Sequence, residues 1–153
     1  EGFEAEMNYQ PGKHLYGTIS YSYISAKTSA GFQSDGGVGQ FYASKSTDGQ
    51  VSGLPRHLFN TLVSYTFDNG WSLSANGLVT GEMNNNFAGT LVIPRQFQID
   101  GSVAYRTKQW EYRLSLSNLS DEKNWAPPNA VYGNASILPL PGTMGRLLIK
   151  YKF

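Results

Sequence analysis

Taken at every second residue, the chain separates repeatedly into an apolar and a polar set. From Gly145 to the last residue, Leu147, Ile149, Tyr151 and Phe153 alternate with Arg146, Leu148, Lys150 and Lys152, which is the period of a β-strand and not of a helix. The same template predicts six earlier strands: Gly2 to Gln10, Leu15 to Ala26, His57 to Phe67, Trp71 to Gly81, Phe97 to Arg106 and Trp110 to Leu119. In the third of these, Phe59, Thr61, Val63, Tyr65 and Phe67 oppose Leu58, Asn60, Leu62, Ser64 and Thr66. The chain therefore reads as all-β, with about seven strands.

The connections alternate between tight and long. Pro11-Gly12, Asp68-Asn69-Gly70 and Thr107 to Gln109 are short, whereas Gly31 to Gly53, Glu82 to Thr90 and Ser120 to Thr143 are long and polar or Gly-rich. Asn-Gly is a strong hairpin signal, so consecutive strands are expected to pair antiparallel, up and down. Strands of about ten residues, trimmed at one end and carrying loops at the other, form the pattern of an outer-membrane β-barrel with its apolar face toward lipid. Tyr9, Leu15, Tyr65, Phe67, Trp71, Tyr105, Trp110, Tyr151 and Phe153 all fall on the apolar set beside the short turns, as an aromatic girdle would. On this pattern Lys150 and Lys152 face the interior, because a Lys facing lipid near the midplane costs roughly 2–4 kcal/mol. A soluble β-sandwich, for example a carbohydrate-binding module with the Tyr-rich face as its dry core, alternates in the same way.

Composition narrows the choice. Of 153 residues 14% are aromatic, ten of them Tyr, and only 15% are charged; side chains with one apolar and one wet end suit an interface. The uninterrupted apolar runs are a few residues long, short of the roughly 20 that a membrane helix needs, which leaves only strands to span. A net charge of +1 without clustered Lys and Arg excludes a nucleic-acid binder built on a basic patch. Without Cys there is neither a disulfide framework nor a thiolate metal site. The chain opens on Glu1 directly in a strand, and is expected to be a piece of a longer one.

No residue set predicts covalent chemistry, and no enzyme activity or cofactor is expected. Glu4 and Glu6 share a face as an acid/base pair would, but the barrel pattern makes them hydrated interior residues. His14 and His57 lie far apart with no third ligand in view, and no GxSxG elbow accompanies the scattered Ser, His and Asp. Ser34 to Gly39 is Gly-rich but lacks the Lys-Ser/Thr ending and following helix of a phosphate loop. Asn118-Leu-Ser and Asn134-Ala-Ser match the glycosylation sequon in composition only. The long loops carry Phe32, Phe41, Tyr42, Phe87, Trp125 and Tyr132, aromatics outside any alternating strand that are candidates to stack on a small ligand, with Arg56 as a candidate partner for an anionic group. Asn60, Gln98, Asp100, Arg113 and Lys150 join Glu4 and Glu6 on the interior set.

Several local motifs together resemble the C-terminal part of the barrel of TonB-dependent outer-membrane receptors. These are Gly53-Leu-Pro-Arg-His57 opening a strand, the Asp68-Asn-Gly turn before Trp71, a second Pro-Arg at Ile93-Pro-Arg-Gln96, Asn118-Leu-Ser-Asp121 leaving the sixth strand, and the terminal Tyr151-x-Phe153. The resemblance implies that residues 1–153 are the last seven strands of a 22-stranded barrel whose plug domain lies elsewhere. It implies an active-transport receptor in the bacterial outer membrane that imports a scarce, bulky nutrient such as a ferric siderophore, with energy from the TonB complex acting through the plug. The expected partners are outer-membrane lipid, the protein's own plug, the TonB complex, the small-molecule ligand and the barrel assembly machinery, for which Tyr151 and Phe153 look like the signal. A small eight-stranded outer-membrane barrel with a structural or adhesion role is the other barrel reading.

Overall fold

The computed structural model describes residues 1–27, 50–85, 91–126 and 137–153. Seven strands form one antiparallel sheet: β1 (Gly2–Tyr9), β2 (Leu15–Ile24), β3 (His57–Thr66), β4 (Trp71–Thr80), β7 (Gln96–Arg106), β8 (Trp110–Ser117) and β11 (Met144–Tyr151). Their spatial order is β1-β2-β3-β4-β7-β8-β11, so each long strand pairs with its successor in the chain. All seven predicted strands are present, with ends shifted by a residue or two. Four further two-residue strands lie in or just after the predicted loops: β5 (Met83–Asn84) pairs with β6 (Val92–Ile93), and β9 (Trp125–Ala126) with β10 (Leu138–Pro139). Strands this short offer no period to read, which is why the alternation does not reveal them.

Register carries the two-residue alternation across the whole sheet. Ala5 lies opposite Tyr21, Tyr21 opposite Phe59, Phe59 opposite Val79 and Val79 opposite Phe97; at another level Val103 meets Leu114, which meets Leu147. Because side chains alternate strictly, this pairing puts every predicted apolar set on one face. That face of the seven strands holds no Asp, Glu, Lys or Arg.

The apolar face is the exposed one. Phe3, Met7, Val63, Leu73, Leu114 and Leu147 stand open on it, Leu147 at 65%, whereas Ser72, Ser74, Asn76, Glu111, Arg113 and Ser115 on the opposite face are half-buried. Among the described residues only Pro55, Met83, Ile93 and Ala104 are buried apolar side chains, and two of these belong to the β5–β6 hairpin. Among the described residues no second layer covers the apolar face, which a sandwich would need as its dry core. A sheet with one apolar, exposed face and one polar face has the pattern of an outer-membrane barrel wall, where hydrocarbon replaces water on the apolar side.

Two aromatic levels bound this face. At the short-turn end Trp71 and Tyr105 lie 4.9 Å apart between ring centres, Trp110 and Tyr151 4.7 Å, Tyr65 and Phe67 4.7 Å, and Tyr151 and Phe153 5.1 Å. This is the predicted girdle, seen as touching rings. A second cluster sits toward the loop end, where Phe3 contacts Tyr21 at 5.6 Å and His57 contacts Tyr23 at 5.3 Å, with the Tyr21 hydroxyl 2.7 Å from His57 Nδ1. Between the two levels lies an aliphatic and small-residue band. From His57 to Phe67 at ~3.3 Å per residue and a tilt near 40°, the band is roughly 25 Å tall, the height of an outer-membrane hydrocarbon core.

The tight turns follow local chemistry. Phe67 N–H donates to the Trp71 carbonyl (2.8 Å) and Gly70 N–H to the Phe67 carbonyl (3.3 Å), with Gly70 at φ +89° and Asn69 not in the left-handed region. The Asn-Gly hairpin is therefore a three-residue turn closed by a left-handed glycine, not the two-residue form the dipeptide favours. A Cβ at Gly70 would meet the Arg106 carbonyl at 2.4 Å. Beside it Lys13 Nζ reaches Asp68 Oδ1 at 2.7 Å and His14 Nε2 lies 3.5 Å from Asp68 Oδ2. The Lys13 hydrogen bond, aided by the charges of Lys13 and His14, holds the Asp68 carboxyl below its ordinary value of 3.8.

Candidate functional site

The polar face is the surface on which a ligand or a second domain would act, and its residues come in level rows set by register. One row runs Tyr16, Ser64, Ser74, Ser102, Ser115, Arg146, and the next runs Asn8, Thr18, Leu62, Asn76, Asp100. Ser74 and Ser102 share a 2.7 Å hydroxyl contact, and Thr18 Oγ1 donates to Asn8 Oδ1 at 2.7 Å. Because the side chains of the serine row are short, the wall is recessed there, leaving a hollow of about 580 Å³ lined by Ser74, Asn76, Asp100, Ser102, Ser115 and Arg146 among others.

All seven predicted interior residues lie on this face. Glu6 accepts from Asn8 Nδ2 (2.7 Å) and Glu4 from the Ser22 hydroxyl (3.4 Å). Asn60 stands opposite Ser20 and Leu78. Asp100 accepts from Gln98 Nε2 (2.8 Å) and from the Asn118 N–H (2.9 Å). Arg113 donates to Glu111 Oε1 at 2.9 Å, Arg106 Nε lies 3.5 Å from Glu111 Oε2, and Lys150 faces Glu111 in register. Glu111 is the hub of that cluster; the two-residue period places it on this face but does not single it out.

At the loop end the predicted ligand contacts divide. Phe32, Phe41, Tyr42, Phe87 and Tyr132 lie outside the described residues, as do Ser34 to Gly39 and the Asn134 sequon. Arg56 and Trp125 are described, and they stand on opposite sides of the β4–β7 pair. Arg56 borders a small hollow of about 150 Å³ with Gln50, Glu82 and Asn84, and its carbonyl accepts from the Ile24 N–H (2.8 Å). Trp125 on β9 is clamped by Gln96, whose Nε2 donates to the Trp125 carbonyl (3.0 Å) while its Oε1 accepts the Trp125 N–H. Neighbouring Asn124 donates to the Phe97 carbonyl (2.8 Å) and accepts from the Leu140 N–H (2.8 Å).

Asn118 ties this end together. At φ +50°, a conformation that Asn tolerates better than most residues, it is buried, and its amide donates to the carbonyls of Glu122 (2.9 Å) and Pro141 (3.3 Å) and accepts from the Glu122 N–H (3.1 Å). Thr143 Oγ1 donates to the Asn118 carbonyl (2.7 Å) and Thr143 N–H to Asp121 Oδ1 (3.1 Å). The Asn118-Leu-Ser-Asp121 motif is thus a staple joining the end of β8 to the start of β11, and Asn118 is no acceptor for a glycan. Among the described residues no group of three or more His, Asp or Glu is placed to hold a metal ion.

The same sheet recurs in proteins of known structure. The chain superposes on the siderophore receptor PiuA of Acinetobacter baumannii with a TM-score of 0.76 over 99% of its length at 17% identity. It matches the ferric-catecholate import receptor Fiu of Escherichia coli K12 with the same score, coverage and identity, and the copper transporter OprC with a TM-score of 0.69 over 98% at 15% identity. It spans about a fifth of each, 21%, 20% and 23% of the respective chains. No curated protein matches the sequence. Residues 1–119 match the model of the TonB-dependent receptor-like β-barrel. The chain belongs to the TonB-dependent receptor β-barrel family.

Proposed function

We propose that this chain is the C-terminal seven strands of a 22-stranded outer-membrane receptor that imports a bulky ferric chelate, most simply a ferric siderophore, with energy delivered by the TonB complex through a plug domain. Membership of the family makes it part of a bacterial outer-membrane β-barrel of the transport-receptor type. The observation that carries the reading is the inverted sheet: an uncharged apolar face bounded by two aromatic levels, backed by a polar wall with a 580 Å³ recess. In this reading the polar wall lines the lumen around the plug, and the long loops rooted at Arg56 and Trp125 contribute to capture outside the cell. Tyr151 and Phe153 end the strand that the assembly machinery reads.

The similar structures divide between siderophore receptors and a copper transporter, so cargo is the part to test. The experiment is uptake of radioactive iron from a panel of ferric catecholates and hydroxamates by cells with and without the full-length gene. Uptake of at least one chelate that disappears on deletion of the gene, and also when the proton gradient is collapsed, is the expected result. Uptake of every chelate that is unchanged by deletion sinks the iron-chelate reading.

A further inference from the structure

The polar wall is divided by charge. Its β1 sector presents Glu4 and Glu6 and no cation. Across β2, β3 and β4 the polar-face positions, from Tyr16 to Ser22, Leu58 to Thr66 and Ser72 to Thr80, hold no charged residue at all. The β7–β8–β11 sector presents Arg106, Arg113, Arg146 and Lys150, with Lys152 continuing β11, against Asp100 and Glu111. Five cations against two carboxylates leave this sector three charges positive.

Pairing within the wall does not resolve the excess. Glu111 is engaged by Arg113 and Arg106, and Asp100 is occupied by neutral donors, Gln98 and the Asn118 N–H. Among the described residues Arg146, Lys150 and Lys152 form no ion pair, and neither do Glu4 and Glu6. Arg146 stands opposite Ser115, in a row that offers only hydroxyls. If the lumen is filled by protein and water is displaced, unpaired charges of this kind are costly unless the occupant supplies their counter-charges. Complementary potentials are also what fix the orientation of one surface against another.

We infer that the plug presents an Asp- and Glu-rich surface to β8 and β11, a Lys- or Arg-bearing surface to β1, and a surface without ion pairs to β2–β4. This rests on the proposed function, since it needs a plug in the lumen. The uncharged β2–β4 part of the wall then becomes the sector where no ion pairs tether the plug.

Zero-length carbodiimide cross-linking of the full-length receptor tests this, because it joins an amine only to a carboxylate in direct contact. An Arg146→Lys variant keeps the charge and places a reactive amine where the facing strand offers only Ser115. The expected result, read by mass spectrometry, is that the amine introduced at position 146 and native Lys150 couple to plug carboxylates, and Glu4 or Glu6 to a plug lysine. Yield at positions 146 and 150 is expected to fall to background in the Arg146→Gln/Lys150→Gln double variant. Coupling of 146 and 150 only to carboxylates of barrel strands, Glu111 included, overturns the inference, as does the absence of any plug–wall coupling in a receptor that folds and contains a plug. A parent protein with no plug refutes the proposed function instead, so the two failures are distinguishable.

Discussion

Replacing Val63 by Arg measures how strongly the membrane dictates this sheet. Val63 lies on the apolar face, 48% exposed, four residues from Phe67 in the girdle and six from His57 at the opposite level. At ~3.3 Å per residue and ~40° of tilt, it is roughly 10 Å above the inner girdle of a ~25 Å band, close to the midplane. A guanidinium there costs about 2–4 kcal/mol, which is a factor of roughly 30 to 700 in the folded-to-unfolded ratio. Ser64, the next residue, points to the polar wall between Tyr16 and Ser74, and Ser64→Arg is expected to cost less, since its neighbours there are hydroxyls and not hydrocarbon. The assay is equilibrium unfolding of the full-length receptor in lipid vesicles, with both variants measured against wild type. Equal costs for the two substitutions, or a larger one for Ser64→Arg, refute the assignment of faces.

Further outcomes follow from the turns and the staple. Gly70→Ala puts a Cβ 2.4 Å from the Arg106 carbonyl at a φ of +89°, so a loss of at least ~1–2 kcal/mol is expected in the same unfolding assay. Asn118→Ala removes three side-chain hydrogen bonds worth about 1 kcal/mol each; hydrogen exchange in the described segments between residues 118 and 143 is expected to accelerate, and Asn118→Gly, which tolerates the backbone angle, is expected to be the milder change. The lowered Asp68 carboxyl means that the Lys13–Asp68 contact stabilises the folded state above the ordinary value of 3.8 and is lost as the pH falls through the lower folded value. Lys13→Gln is expected to move the Asp68 titration back up toward 3.8, read by carboxyl NMR.

How much was legible in the sequence depends on the length of each repeat. Strands of eight to eleven residues carry enough alternation to fix both their existence and their faces, and the girdle follows from the large side chains beside the short turns, Tyr65, Trp71, Tyr105, Trp110 and Tyr151 among them. The loop-end cluster of Phe3, Tyr21, Tyr23 and His57 was present in the same alternation, but it becomes visible as one level only when register aligns β1, β2 and β3. Two-residue strands and the clamps by Gln96 and Asn124 rest on side-chain geometry that no period reports. Asn118 was marked by its motif, yet its role depends on Glu122, Pro141 and Thr143, residues brought to it by the fold. The division of charge along the polar wall was readable in principle, since each strand's interior set was known; it needed the strand order to become a map.

Spin labels report whether the odd-numbered residues of β3 face hydrocarbon and the even-numbered ones the lumen. Single labels placed at each position from 59 to 65 of the full-length receptor in vesicles would be compared for collision with oxygen, which concentrates in lipid, and with a water-soluble nickel chelate. Oxygen access is expected to peak at positions 59, 61, 63 and 65 and to fall at 60, 62 and 64. Flat profiles, or peaks at the even positions, would contradict it.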